Sequence, residues 1–262
     1  MSELVDVAWR ARPLRLEVAR VGNPASPHPV VVFLHEGLSS VAMWKDFPAA
    51  FCAANGLAGV VFSRYGYGRS TPKPPSERWA PDFMHEQALE VLPALLQALG
   101  IDAERDRPWL FGHSDGGSIA LLHAAQFPAA GVVAVAPHLF VEDVAIASIE
   151  RARTSFEAGD LRRGLAKYHD DPDSAFRGWN DAWLSPEFRA WNIEADIVNV
   201  SCPVLAVQGA DDEYGTLEQI RAVARHVPQT ELLVFADCGH SPHRDQPERL
   251  IREAGAFIVD RS

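Results

Sequence analysis

Apolar and polar residues alternate along Val5 to Arg10 and Leu14 to Val21, the pattern of two half-buried strands. The turn-rich stretch GNPASPHP follows. At Val30 to Leu34 the alternation stops: the run VVVFL is continuous, β-branched and aromatic, as in a strand buried on both faces. Val41 to Asn55 has helical spacing, with Trp44, Phe47 and Phe51 as its large apolar positions. Ala58 to Ser63 predicts another buried strand, and Met84 to Leu99 a helix kinked or broken at Pro93. Trp109 to Phe111, Ser118 to Gln126 and Val132 to Ala136 predict strand, helix and strand.

The texture then changes. From Val141 to Asp196 strand-like runs disappear, and helix formers, charges and the tryptophans Trp179, Trp183 and Trp191 take over. Strand and helix resume at Pro203 to Val207, Leu217 to His226, Glu231 to Phe235 and Pro247 to Val259. Such a series predicts an α/β fold, a mostly parallel doubly wound sheet with helices on both faces. Residues 1–140 and 197–262 would form the core, and 141–196 an inserted helical cap. Ligands of such sheets bind beyond the C-terminal ends of the strands. The loops HEGLSS, RYGYGRS, GHSDGG, PHLF, GADDEYG and DCGHSPHRD are therefore where chemistry is expected.

Composition narrows the function classes. The 262 residues are 47% hydrophobic and 23% charged, as in ordinary globular chains. A formal net charge of -11 argues against nucleic-acid and anionic-membrane partners, although Arg151, Arg153, Arg162, Arg163 and Lys167 make one basic patch. Cys52, Cys202 and Cys238 are widely spaced and suggest neither zinc nor a disulfide framework. No basic stretch leads into an apolar core near Met1, and no run approaches ~18 apolar residues, so a cytoplasmic location is expected. The expected partner is a small-molecule substrate, with no cofactor and no metal; a homo-oligomer is compatible with the sequence.

Gly112-His113-Ser114-Asp115-Gly116 fits G-x-S-x-G between a predicted strand and a predicted helix. A serine at so tight a turn is strained and exposed, and small residues two before and two after it avoid collision. His113, inside the turn, points away from the hydroxyl. Serine is a weak nucleophile that needs a base held by an acid. Asp211 and Asp212 lie just beyond one later strand, and His240 just beyond the next; Glu142, Asp143 and His243 are alternatives. Read as a bystander, His243 would be a surface or ion-pairing residue.

These motifs, spread over nearly the whole chain, resemble the α/β-hydrolase superfamily and, within it, the single-domain serine hydrolases with a helical cap. In that family the acid commonly stands three residues after the glycine of a Gly-x-x-Asp turn. Counting from Gly209 gives Asp212, with Asp211 as competitor. The resemblance implies Ser114 as nucleophile, His240 as general base and then acid, and Asp212 as the group that orients the imidazole. It also implies two oxyanion donors, the N–H groups of Asp115 and Gly37, with Leu38 as neighbour to the second. The corresponding family loop is commonly His-Gly-Gly. Here Glu36 replaces the first glycine, which removes no donor because the donor is backbone. Ser63-Arg64-Tyr65-Gly66-Tyr67-Gly68-Arg69-Ser70 is similar to the family's Asp-x-x-Gly-x-Gly-x-Ser loop, with Ser63 in place of Asp.

Glu36 has two readings: neutralised by Arg64 or a histidine, or binding a cationic substrate. The second arises because valacyclovir-hydrolase-like members and proline iminopeptidases hold an α-ammonium group with carboxylates. Trp179, Trp183, Trp191 and Phe140 either pack the cap or line an acyl pocket. The leading expectation is a hydrolase of a small or medium carboxylic ester, lactone or thioester acting through an acyl-enzyme. Alternatives are an aminoacyl-ester hydrolase or aminopeptidase, a C–C bond hydrolase, and a ligand receptor on the same fold.

Overall fold

The continuous apolar runs become the strands at the centre of one sheet. A computed structural model describes residues 2–10 and 12–262. Its strands are β1 (Ser2–Trp9), β2 (Arg12–Gly22), β3 (Val31–Leu34), β4 (Ala58–Phe62), β5 (Trp109–His113), β6 (Gly131–Val135), β7 (Val204–Gly209) and β8 (Thr230–Phe235). They run in the order β1-β2-β4-β3-β5-β6-β7-β8. β1 and β2 join antiparallel, β2 also meets β4 antiparallel, and every later pairing is parallel.

β3, β5, β6 and β7 are buried along their whole length. Alternate side chains serve the two faces. Val32, Leu34, Leu110, Val132, Ala134, Val204 and Ala206 feed one core layer; Val31, Phe33, Trp109, Phe111, Val133, Val135, Leu205 and Val207 feed the other. β1 and β8 are the edges, and β8 exposes Leu232 and Val234.

Two predicted helices differ in detail. Val41 to Asn55 divides into a short 3-10 turn, Val41–Trp44, and a helix, Phe47–Asn55. The break falls at Lys45, which has φ 54°, and Pro48 in the next first turn starts the helix afresh. The helix around Pro93 is not broken. It runs through Phe83–Glu86, a wider π turn at Gln87–Val91, and Leu92–Ala98. The π turn relieves the clash that the proline ring would make with the preceding turn.

Between β6 and β7 the chain forms helices Asp143–Glu157, Asp160–Leu165 and Pro172–Trp183, then a 3-10 turn at Pro186–Ala190. Asp171 caps the third helix by accepting from Ser174 N at 2.9 Å, and Pro172 sits where no donor is needed. Phe156 and Phe176 stack at 3.8 Å, and Asn180 joins Arg153 and the Ile149 carbonyl. Among the described residues no helix is long and apolar enough to cross a membrane.

The chain builds β4 on one side of β3 and β5 on the other. The loops after β3 and β5 therefore part at their C-terminal ends and leave a crevice between them. Those loops carry Gly37 and Ser114.

Candidate functional site

Ser114 links β5 to the helix Asp115–Ala124 with φ 53° and ψ -122°, a backbone state that L-residues avoid. The flanking glycines are required by contact. A Cβ on Gly112 would run into the Gly116 carbonyl, and one on Gly116 into the Leu34 carbonyl. At Gly164, by contrast, nothing lies within 4 Å of an added Cβ. Gly116→Ala should therefore lower the melting temperature by about 10 °C, a loss on the order of 3–5 kcal/mol. Gly164→Ala should leave it unchanged or raise it. Equal melting curves for the two variants would contradict the contact argument.

His240 and Asp212 meet. The imidazole Nδ1–H donates to Asp212 Oδ1 at 2.9 Å and Oδ2 at 3.0 Å. Asp212 also accepts from Tyr214 N at 2.8 Å and Gln208 Nε2 at 3.1 Å. Burial disfavours the Asp212 carboxylate, but the His240 hydrogen bond and charge outweigh it, and its pKa falls below the usual value. For His240, burial opposes the charged form, yet bonding to Asp212 prevails and the pKa is raised. Asp211 is exposed, and among the described residues its carboxylate makes no hydrogen bond to the ring, although its N–H bonds Cys238 O. Glu213 accepts from His240 N at 3.1 Å and Asp245 from Gly239 N at 2.9 Å, which fixes the loop that carries the base.

Ser114 and His240 line one cavity of about 260 Å³ with Glu36, Gly37, Asp115, Trp179 and Trp183. Among the described residues no hydrogen bond of 3.5 Å or less joins the Ser114 hydroxyl to the His240 ring. Such catalytic bonds are often long without substrate and tighten on binding.

The loop after β3 is held from three sides. His35 Nε2 accepts from Arg64 N at 2.9 Å, so its Nδ1 carries the proton and donates to Glu36 O at 2.7 Å. Arg64 Nη2 donates to the same carbonyl at 2.9 Å. The Glu36–Gly37 peptide is trans, so the Gly37 N–H points opposite to that carbonyl, away from His35 and Arg64. Leu38 N is occupied by Glu36 Oε2 at 2.9 Å, and Leu38 O accepts from His169 at 3.1 Å. Among the described residues neither the Gly37 nor the Asp115 N–H has a partner in the chain.

Arg64 does not neutralise the Glu36 carboxylate. It touches that residue's carbonyl and lies 3.8 Å from Asp115 Oδ2. The Glu36 carboxylate turns back on its own loop and faces Arg244 at 3.8 Å. Asp115 also accepts from Trp183 Nε1 at 3.2 Å, and burial pushes its carboxyl up to about 6 against the pull of Arg64.

Other candidates take up framework positions, of which Phe140 and His243 differ from the pocket-wall and surface roles considered for them. Phe140 does not line the cavity; its backbone bridges to Asn192 and its carbonyl accepts from Gln219. Trp191 stacks on Phe188 at 5.1 Å. His243 is buried rather than superficial, packed on Trp44 and His113 at 4.9 Å and 4.7 Å. His113 contacts the His240 carbonyl at 2.8 Å. Glu142 accepts from Thr216 and Gln219.

Sequence reasoning missed three contributors. Where the family pattern has an aspartate, Ser63 donates to Glu17 Oε2 at 2.8 Å and accepts from Val41 N at 2.9 Å. The carboxylate has moved to β2, directly across from Ser63 where that pairing with β4 is extended by one residue, and also accepts from Arg69 N at 3.1 Å. His169 spans Gly68 N at 2.8 Å and Leu38 O. His138 lines the cavity beside His240. Among the described residues no cluster of three or more His, Cys, Asp or Glu side chains could hold a metal.

A family model described as "Alpha/beta hydrolase family" matches residues 31–253. Similar solved structures include a proline iminopeptidase from Mycobacterium smegmatis, 18% identical, with a TM-score of 0.78 over 99% of this chain and 98% of that one. A thermophilic esterase from Thermogutta terrifontis is 20% identical, with a TM-score of 0.71 over 99% of both chains. An enol-lactonase from Burkholderia xenovorans is 17% identical, with a TM-score of 0.69 over 98% of both. At such identities the likeness to these structures is one of fold, while the model match spans most of the sequence: the chain belongs to the alpha/beta hydrolase family.

Proposed function

We propose that this protein is a cofactor-free serine hydrolase that cleaves a small or medium carboxylic ester, lactone or thioester through an acyl-enzyme on Ser114. The observation that carries the reading is the strained Ser114 turn facing the same cavity as a His240 whose Nδ1 is tied to Asp212. Residues 141–196 act as a cap that closes this cavity.

In the first half-reaction the Ser114 hydroxyl attacks the carbonyl carbon while His240 Nε2 takes its proton. Negative charge on the tetrahedral oxygen is met by the Gly37 and Asp115 N–H groups, already oriented before substrate arrives. Arg64, buried behind this loop, keeps its field positive despite Glu36. The imidazolium then protonates the departing alcohol or thiol. Water repeats the cycle: His240 takes its proton, the acyl bond to Ser114 breaks, and serine regains its hydrogen.

Cavity size supports modest substrates. About 260 Å³ lies at or below the ~300–1,000 Å³ of typical ligand pockets. Short p-nitrophenyl esters should therefore be turned over and long-chain ones should not.

The pH dependence follows from His240. The base must be neutral to accept the Ser114 proton, and its pKa is raised. Activity is then full at high pH and falls as pH drops through a value above histidine's ordinary ~6.5. A kcat/KM profile whose acid limb sits at or below ~6.5 would contradict the His240–Asp212 coupling.

A second reading has support in the cavity wall, where among the described residues Glu36, Asp115 and Glu213 stand against Arg244 as the one lysine or arginine. Three carboxylates favour a substrate with an ammonium group near the scissile bond, an aminoacyl ester or amide. Comparing an alanyl ester with the matching propionyl ester separates the readings.

A further inference from the structure

His138 follows β6 and lines the cavity shared by Ser114 and His240. It is only 3% exposed. Its Nδ1 is shut away from solvent with no hydrogen-bond partner, and among the described residues its other ring nitrogen has none either. A ring nitrogen in that state has lost its water and gained nothing in exchange, which ordinarily destabilises a fold. An apolar side chain of similar size would serve packing better.

The surroundings sharpen the contrast. The cap side of the cavity is otherwise apolar, formed by Ile149, Leu161, Leu165, Trp179 and Trp183. The ring stands edge-on to Trp183 at 5.0 Å and lies 5.8 Å from the His240 ring. Its backbone is fixed on both sides. Ser118 Oγ, from the nucleophile's helix, accepts from His138 N at 3.0 Å and donates to His138 O at 2.6 Å. Leu139 N donates to Gln219 at 2.7 Å, and Ala136 holds φ 47°. Burial pushes the ring down to about 3, so it is neutral at working pH, one nitrogen a donor and the other an acceptor.

We propose that His138 contacts substrate: it hydrogen-bonds a polar group on the acyl part, close to the scissile carbonyl, and selects hydroxy- or oxo-substituted acyl groups over plain alkanoyl groups. The acyl side is assigned because His138 belongs to the enclosed wall under the cap, whereas Arg244, 47% exposed in its side chain, marks the mouth. The part of the substrate that stays on Ser114 occupies the enclosed end. This inference rests on the serine-hydrolase reading and refines its substrate class.

The test compares p-nitrophenyl butyrate with p-nitrophenyl 2-hydroxybutyrate and 3-hydroxybutyrate, using wild type, His138→Leu and His138→Gln, with a thermal melt of each. Wild type should favour at least one hydroxy ester by about tenfold in kcat/KM. His138→Leu should erase that preference, losing more kcat/KM on the favoured hydroxy ester than on the plain one, and melt at the same or a higher temperature. His138→Gln, which keeps a donor and an acceptor, should restore part of the preference. An unchanged ratio in His138→Leu, or an equal loss on all three esters, overturns the proposal, since a structural role would move them together. Failure of the underlying reading looks different: no ester is turned over by any variant and a fluorophosphonate does not label Ser114, which overturns both.

Discussion

Ser114→Ala lowers ester turnover by about 10⁴- to 10⁶-fold, while the melting temperature stays within about 4 °C of wild type. The loss is large because this hydroxyl is the one protein group in the scheme that bonds to the acyl carbon. The stability change is small because Ser114 Oγ holds nothing together: the turn is fixed instead by Ser114 N on Val135 O at 2.8 Å and by the packing of Gly112 and Gly116. Alanine inherits the same φ of 53° and the same contacts. Rates from a p-nitrophenyl ester and melting curves on the same preparation check the two halves. A variant that keeps more than about a tenth of wild-type turnover would remove Ser114 from the mechanism.

Asp212→Asn lowers kcat by about 10⁴-fold, whereas Asp211→Asn changes it within about twofold. Asp212 has a side chain only 1% exposed, and both of its oxygens face His240 Nδ1. An amide there presents an N–H toward the ring, favours the tautomer with the proton on Nε2, and leaves no acceptor for Ser114. It also removes the charge that raises the His240 pKa. The acid limb of the residual activity should therefore move to lower pH. Asp211, exposed and one residue away, supplies neither effect. Steady-state kinetics of the two variants across pH decide the matter, and the reverse order of damage would reassign the acid.

Local sequence signals carried far. VVVFL, GVVAV and their like are strands because β-branched and aromatic runs suit a sheet buried on both faces. G-x-S-x-G is legible because collision with backbone leaves no choice of residue at Gly112 and Gly116. Asp212 and His240 follow strand ends, where this topology gathers loops, and the fold brings them to 2.9 Å.

What stayed hidden depends on approach across elements. Ser63 looks like a lost carboxylate until β2 brings Glu17 beside it. Arg64 and Glu36 stand one strand apart in the chain's logic, yet the guanidinium reaches the carbonyl, and Arg244 faces the carboxylate from a helix more than two hundred positions later. Phe140 has the right composition for a pocket wall, but its β-bridge to Asn192 turns it into the frame. His169 and His138 carry no motif at all. Only packing shows that one ties the loop after β3 to the Gly68 loop, and that the other meets the cavity without a partner.

The central claim is a covalent acyl-enzyme on Ser114. Rapid acid quench of the protein with a short p-nitrophenyl ester, followed by intact-mass and peptide mass spectrometry, tests it directly. The account predicts one acyl adduct per chain, on the peptide containing Ser114 and absent from Ser114→Ala. Turnover with no adduct on that peptide, or an adduct that persists in Ser114→Ala, would contradict it.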